Sequence, residues 1–356
     1  MPDIERHIDF ATAVLEATDQ CMSDDKSVFI IGLGVTDPKG IFNTTIGLEA
    51  KYGSDRVMDM PVSENAMTGV MIGASLVGMR PILTHQRIDF MLLALDQVIN
   101  NAAKWRYMFG GRQKVPIVIR VLVGRGWGQG AQHAQSLQSL FAHIPGLKVV
   151  MPTTPYDAKG LLISAIRDDN PVIYIDHRWL HNITGPVPEE RFEVPIGKAR
   201  IMREGKDLTI VAASYMSLEA LRAAEVLEKY GIDAEVVDLR TLRPLDEDAI
   251  AGSVKKTGRL IAIDGSWKAC SMTSEIVAIA TEHAFDKLKA APVRINYPEA
   301  PSPTTPALAN LYYPKAIDII NPAFGMLGKP SKSEEEVGIV YRNPLDVPDR
   351  TFKGPF

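Results

Sequence analysis

The sequence predicts an α/β protein of two domains, each a mainly parallel sheet with helices on both faces. Three observations carry this. Short, continuously apolar runs such as Val28-Phe-Ile-Ile-Gly32 alternate with longer helical stretches, the pattern of strands buried on both faces. The alternation breaks once, at a proline-rich stretch with Pro186, Pro188 and Pro195, and then resumes. A chain of 356 residues also exceeds what one core usually organises.

Taken in order, residues 8–22 read as a helix and 28–32 as a buried strand. Arg80-Pro-Ile-Leu-Thr84 reads as another strand, followed by a long helical run over 90–109. Strands at 115–120 and 147–151, a helix at 155–168 and a strand at 172–176 complete a domain expected over 1–185. Residues 186–197 read as a linker. The second domain, expected over 198–327, has strands at 208–212, 234–238 and 259–263 and amphipathic helices at 216–230, 246–257 and 272–283. The remainder, 328–356, is polar. Its run Lys329-Pro-Ser-Lys-Ser-Glu-Glu-Glu336 has no apolar periodicity, so it reads as a tail that is disordered or laid along a partner.

Composition excludes several classes. A net charge of -4 gives no reason to expect nucleic acid or an acidic membrane surface as partner. Two cysteines, Cys21 and Cys270, make no disulfide framework or zinc cluster and fit a reducing compartment. No basic-then-apolar leader opens the sequence and no apolar run reaches a membrane span, so a cytoplasmic location is expected. The stretch Gly124-Arg-Gly-Trp-Gly-Gln-Gly130 lacks the Lys-Ser/Thr of a phosphate-binding loop, and Gly32-Leu-Gly34 is too short for a dinucleotide fingerprint.

One acid stands out. Glu64 follows Ser63, a natural N-cap, and opens a helix with no charged residue from Ala66 to Gly78. Gly69, Gly73, Ala74 and Ser75 leave room for another backbone, so such a helix is buried or pressed on a partner. A carboxylate there is favoured by the helix dipole yet short of water, a setting for proton chemistry. The competing reading is a surface Glu that helps the helix start.

Four segments decide between these. They are Asp59-Met-Pro-Val-Ser-Glu64; Ala94-Leu-Asp-Gln-Val-Ile-Asn-Asn101 with Tyr107-Met-Phe-Gly-Gly111; Gln132-His-Ala-Gln-Ser-Leu-Gln-Ser139 running to Pro171; and Val237-Asp-Leu-Arg-Thr-Leu-Arg-Pro244. Together, over about residues 5–325, the chain resembles the beta subunit of the thiamine-diphosphate-dependent component of 2-oxo-acid dehydrogenases of the pyruvate dehydrogenase type. The resemblance implies a transketolase-like pyrimidine-binding domain followed by a transketolase C-terminal domain. It places Glu64 as the acid that donates to the aminopyrimidine ring nitrogen, so that the ring's amino group can take the proton from the thiazolium carbon. It places Phe90 on the aminopyrimidine ring, with Gln86 also beside the cofactor, and His133 as a proton-handling group near the reacting carbon. Ala165, Asp168 and Asn170 match a loop that holds a structural potassium ion in some members; the same residues also close a turn before Pro171. His177 and His181, four apart, read as structural, because no third metal ligand accompanies them.

What is missing implies a partner. The Gly-Asp-Gly motif with a downstream Asn, which in the family holds magnesium and the diphosphate, is absent; Ile263-Asp-Gly-Ser266 lacks the first Gly. The resemblance therefore implies an alpha subunit that supplies that half, an α2β2 assembly, and a lipoyl acyltransferase as acceptor. The chain also departs from its resemblance. Leu33 stands where members usually carry an acid, and Leu cannot relay a proton. His85, Arg87 and Asp89 make the segment before Phe90 unusually polar, which suggests a substrate more polar than pyruvate, contacted by His85 and Arg87; alternatively Arg87 and Asp89 pair with each other or face the partner. Two other readings stay open: a two-subunit carboligase or decarboxylase without lipoyl transfer, and a subunit with an inactive site, against which the presence of Glu64, Phe90 and His133 argues.

Overall fold

The computed structural model describes residues 6–126 and 128–339. The chain divides into two compact units. One comprises 6–124 and 140–196, the other 125–139 and 197–339.

The first unit is built on parallel strands in the order Lys148–Val150, Val172–His177, Val118–Val123, Arg80–His85, Val28–Gly32, Val57–Met58. The central strands are buried along their length, which is why they read as continuous apolar runs. After Val28–Gly32 the chain moves outward to Val57–Met58, then returns to the other side as Arg80–His85. The connections leaving these two neighbouring strands therefore diverge, and open sheets form their binding crevice at such a point, outside the carboxyl ends.

The first helix runs Phe10–Asp24 rather than 8–22. His7–Asp9 is instead a short strand paired antiparallel with Thr184–Pro186. Asp9 then caps the helix, accepting from Thr12 N at 2.7 Å. Its apolar face, Phe10, Ala13, Val14, Ala17 and Cys21, packs on the helix Pro155–Arg167. The stretch 186–197 lies against that same helix: Val194 N donates to Gly160 O at 3.2 Å and Ser164 Oγ to Val194 O at 2.7 Å.

The expected long helix over 90–109 is broken. It consists of Ile88–Met91, a 3-10 turn Leu92–Ala94, a π-helix Gln97–Ala102 and a last α-turn segment Ala103–Met108. Side-chain bonds clasp the wide turn: Asn100 Nδ2 donates to Asp96 Oδ1 at 2.8 Å and Asn101 Nδ2 to Gln97 Oε1 at 3.0 Å. Such wide turns are rare and often sit near functional sites.

The second unit has the sheet order Val293–Tyr297, Leu260–Trp267, Leu208–Ala212, Ala234–Asp238, Arg200–Arg203. Only the Arg200–Arg203 edge is antiparallel. The helices Tyr215–Lys229, Glu247–Thr257 and Met272–Ala284 fall within two residues of the expected spans. Helices Pro306–Tyr312 and Ala316–Met326 were not anticipated. Of the tail, 340–356 lie outside the described residues. Its earlier part is ordered by a capping box: Ser333 and Glu336 satisfy each other's backbone N–H groups around the helix Glu334–Val337. Asn321 adds bonds to both the N–H and the C=O of Lys332.

Candidate functional site

The carboxyl ends of the first unit's strands bring together some of the residues the sequence singled out, His85 and His177 among them. Gly32, His85, Val121, Val123 and His177 are in register or adjacent across neighbouring strands. The chain beyond Gly32 turns tightly at Gly34, whose φ is +75°. That left-handed φ favours glycine, and a Cβ there would also have to displace the ends of the Gln86 and Asp37 side chains, 2.8 and 2.9 Å away. Gln86 Nε2 donates to Leu33 O at 3.1 Å and ties the two diverging connections together. Asp59 adds a second tie, its Oδ1 accepting from Gly34 N at 3.1 Å and Met60 N at 2.9 Å. Asp59, first residue of the segment Asp59–Glu64, therefore ties that segment to the Gly34 turn.

Glu64 is the first residue of the helix Glu64–Leu76, and it is 5% exposed. Ser63 holds the N-cap position but makes no capping bond with its side chain. No described residue hydrogen-bonds the Glu64 carboxylate. With no partner among the described residues, the carboxylate is open to a donor from a ligand, and its place in the first helical turn favours the charged form.

His85 is buried, and its Nε2 has no hydrogen-bond partner among the described residues. Burial pushes the imidazole down to about 4, so at neutral pH the ring is uncharged and either nitrogen can carry the single proton. Arg87 is buried too; it donates to Gly124 O, and its guanidinium carbon lies 5.6 Å from the centre of the Phe42 ring. Arg178 stands 4.7 Å from the same ring. Burial, with the like charge of Arg87, lowers Arg178 to about 10. Phe42 and Arg178 were missed by sequence reading, because neither lies in a recognisable segment. Phe90 follows in Ile88–Met91, half-buried, with its N–H on Arg87 O at 3.2 Å. Leu33 is half-buried and contributes its carbonyl to the site.

His133 belongs to the second unit and its side chain is exposed. Its segment, 125–139, follows the strand Val118–Val123 in sequence yet packs with the second unit.

The expected potassium loop takes a different form. Lys148 pairs with the Asp168 carboxylate, and Arg80 donates to Asp168 O at 3.1 Å and Ile166 O at 3.0 Å. Arg106 donates to Asn170 Oδ1 at 2.9 Å, and the Ala165 carbonyl accepts from Asp168 N at 3.3 Å. Three cationic side chains stand where a potassium ion would supply the positive charge, so Ala165, Asp168 and Asn170 do not fit that ion. They close the turn before Pro171, with Asn170 N and Nδ2 both on Asp168 Oδ1.

His177 and His181 are buried in separate settings. His177 Nδ1 accepts from Trp179 N at 3.2 Å, and His181 stacks on Phe10 at 5.7 Å between ring centres. Among the described residues no three His, Cys, Asp or Glu side chains gather as a metal cluster. Asp264, from the run without the first Gly, is buried and accepts from Gln138 Nε2 at 2.7 Å, Ser266 Oγ at 2.5 Å and Met272 N at 3.3 Å. Its carboxylate is engaged inside its own unit and does not serve a diphosphate-bound magnesium.

The first unit thus carries residue types that suit the pyrimidine half of thiamine diphosphate: an acid with no partner among the described residues, a glycine turn and a half-buried aromatic side chain. The described residues offer no diphosphate half. Comparison with known proteins agrees with this division. The transketolase pyrimidine-binding domain matches residues 6–182, and the transketolase C-terminal domain matches 197–319. The beta subunit of acetoin:2,6-dichlorophenolindophenol oxidoreductase from Cupriavidus necator is 47% identical over 324 residues, covering 88% of this chain and 96% of that protein. The pyruvate dehydrogenase E1 beta subunit of Porphyra purpurea is 43% identical, covering 82% of this chain and 88% of its own. The 2-oxoisovalerate dehydrogenase beta subunit of Bacillus subtilis is 42% identical, covering 85% and 93%. A solved split-gene transketolase in an inactive beta4 tetramer shares the fold, with a TM-score of 0.74 at 22% identity over 90% of this chain and 98% of that one. No helix among the described residues is long and apolar enough to cross a membrane.

Proposed function

We propose a function for a chain that belongs to the transketolase family, in its branch of 2-oxo-acid and acetoin dehydrogenase beta subunits. It is the beta half of a thiamine-diphosphate-dependent enzyme that decarboxylates a 2-oxo acid and passes the acyl group to a lipoyl domain. The observation that carries this reading is Glu64: an acid 5% exposed, at a helix start, without a hydrogen-bond donor among the described residues.

Thiamine diphosphate, when bound, supplies the carbon nucleophile and the electron sink that decarboxylation needs. This chain's residues do the rest. Glu64 holds a proton at the aminopyrimidine ring nitrogen. Phe90 packs its ring on that heterocycle, and Gln86, braced on Leu33 O, lines the same crevice. His133 moves protons at the reacting centre near neutral pH. His85, kept neutral by burial, and Arg87 receive the polar part of the substrate. Magnesium and the diphosphate are held by an alpha subunit in an α2β2 assembly, because Asp264 is committed elsewhere.

The test is reconstitution with an alpha subunit carrying the Gly-Asp-Gly motif, with pyruvate, 2-oxoisovalerate and acetoin offered in turn alongside a lipoyl domain. Acylation of the lipoyl group with carbon dioxide release from one of the two oxo acids is the expected result; acylation from acetoin alone, which has no carboxyl to lose and would release acetaldehyde, would replace decarboxylation by cleavage of a hydroxyketone. Carbon dioxide release without acylation would instead identify the lipoyl-independent carboligase or decarboxylase that Leu33 and the polar segment 85–89 favour. Tight magnesium-dependent binding of thiamine diphosphate to this chain alone would sink the divided site.

A further inference from the structure

The segment that carries His133 is bonded within the second unit at points on both sides of the histidine. At its start, Arg125 is fully buried and donates to Gln129 O at 2.7 Å and to Thr304 O. Next to the histidine, Ser302 Oγ donates to Ala134 O at 2.9 Å. Ser136 hydrogen-bonds the buried Tyr297 hydroxyl. At the end, the fully buried amide of Gln138 donates to Asp264 Oδ1 at 2.7 Å and to Gly265 O at 3.2 Å. Asp264 is locked in turn by Ser266 Oγ and Met272 N, at the mouth of the helix Met272–Ala284. Burial raises the Asp264 carboxyl, while the three donors hold it down. A carboxylate buried with three donors is a rigid fixture, and losing one donor leaves the others mispaired.

The connection itself has little stiffness of its own. Gly126, Gly128 and Gly130 precede the histidine, so the loop backbone cannot hold a side chain to a fraction of an ångström. The anchors lie on both sides of His133 in sequence, and the nearest is one residue away. We propose that Gln138, Asp264 and Ser302 are positioning residues for His133, acting from the second unit by fixing the path of residues 130–138. This assignment rests on the reading of His133 as the proton-handling group. Misplacing a group of that kind by about 1 Å lowers a rate by up to on the order of 10²-fold without weakening substrate binding in proportion.

The experiment uses the complex assembled with its alpha subunit and the substrate found by reconstitution. Gln138→Leu keeps the volume and removes the donor; Ser302→Ala is a milder second variant should Gln138→Leu fold poorly. Each is expected to lower kcat about tenfold with KM within about twofold. His133→Ala is expected to lower kcat on the order of 10²-fold or more. In the His133→Ala background, Gln138→Leu and Ser302→Ala should cause no further loss, because the group they position is gone. A merely structural role would give losses that multiply in the double variants, and that outcome overturns the proposal. So do Gln138→Leu and Ser302→Ala variants with unaltered kcat beside an impaired His133→Ala. Full activity of His133→Ala would remove His133 itself from the chemistry, and the positioning role with it.

Discussion

The proposed chemistry of the first unit centres on the Glu64 carboxylate. No described residue donates to it, while the Gly34 turn, the Gln86 amide and the Asp59 carboxylate tie together the chain that precedes it. Glu64→Gln keeps the volume and removes only the proton-holding group. Turnover should fall by at least on the order of 10²-fold, while the melting temperature stays the same or rises, since a neutral amide is cheaper to bury than a carboxylate. Steady-state rates and a thermal melt of the assembled enzyme decide this, and a variant with full activity would take Glu64 out of the mechanism. At this scale the sequence was informative where a residue sits in a segment with its own logic. Glu64, at the end of the segment Asp59–Glu64 and the start of an uncharged helix, is such a residue, although Ser63 makes no side-chain cap. Phe42 and Arg178 are not, because they lie in no such segment. The loop expected to hold potassium shows what sequence leaves out: Arg80 and Lys148 reach Asp168 and Arg106 reaches Asn170 from other elements, while the Ala165 carbonyl accepts from Asp168 N.

The strands of the first unit end in an unusual set of buried imidazoles. His85 closes Arg80–His85, His177 closes Val172–His177, and His181 follows one turn later. Burial lowers them to about 4, about 3 and about 4, with neighbouring positive charge from Arg87 also acting on His177. In the unfolded chain each takes up its proton near 6.5. Below that pH the unfolded state binds protons the folded state refuses, so stability is fully present above about 6.5 and drains away as pH falls toward about 4. Between about pH 7 and about pH 5 the loss should be about 2 kcal/mol per histidine. Denaturant titrations at the two pH values measure it; His85→Phe should remove its share of the slope, and equal stabilities would show that these rings are not held neutral. Legibility also varied by element. Buried parallel strands announced themselves by unbroken apolar runs, and Leu208–Ala212 and Ala234–Asp238 match their expected spans. The π-helix at Gln97–Ala102 did not, because a run compatible with an α-helix gives no sign of the Asp96, Gln97, Asn100 and Asn101 clasp that widens it. The polar run 329–336 hid a capping box, whose Ser-x-x-Glu spacing was present but lay in a stretch read only for apolar periodicity.

For the whole molecule, the decisive surface is the outer stripe of the Glu64 helix. Ala66, Val70, Gly73 and Val77 follow the i, i+4, i+7, i+11 spacing of one helical face. All four are exposed, Val70 by 55% and Val77 by 82%, and no atom lies within 4 Å of where a Gly73 Cβ would be. Gly69, one step round, already faces Gln97 of the same unit, 3.3 Å from Oε1. The helix therefore uses one small-residue face inside its own unit and leaves another uncovered, beside exposed Val62 and Leu93. An uncharged exposed stripe of this kind fits a contact with another polypeptide, and the acid proposed for the chemistry stands at its start. Val70→Glu places a charge in the middle of the stripe. On an isolated chain that substitution sits in water and should change unfolding stability by no more than about 0.5 kcal/mol. In an assembly it buries an unpaired carboxylate, so association should weaken by at least about tenfold and activity at low protein concentration should fall with it. Sedimentation or light scattering across a dilution series, with a melt as control, separates the two effects. A Val70→Glu variant that assembles as tightly as the parent would move the contact elsewhere, and the uncharged run from Ala66 to Gly78 would then need a different cause.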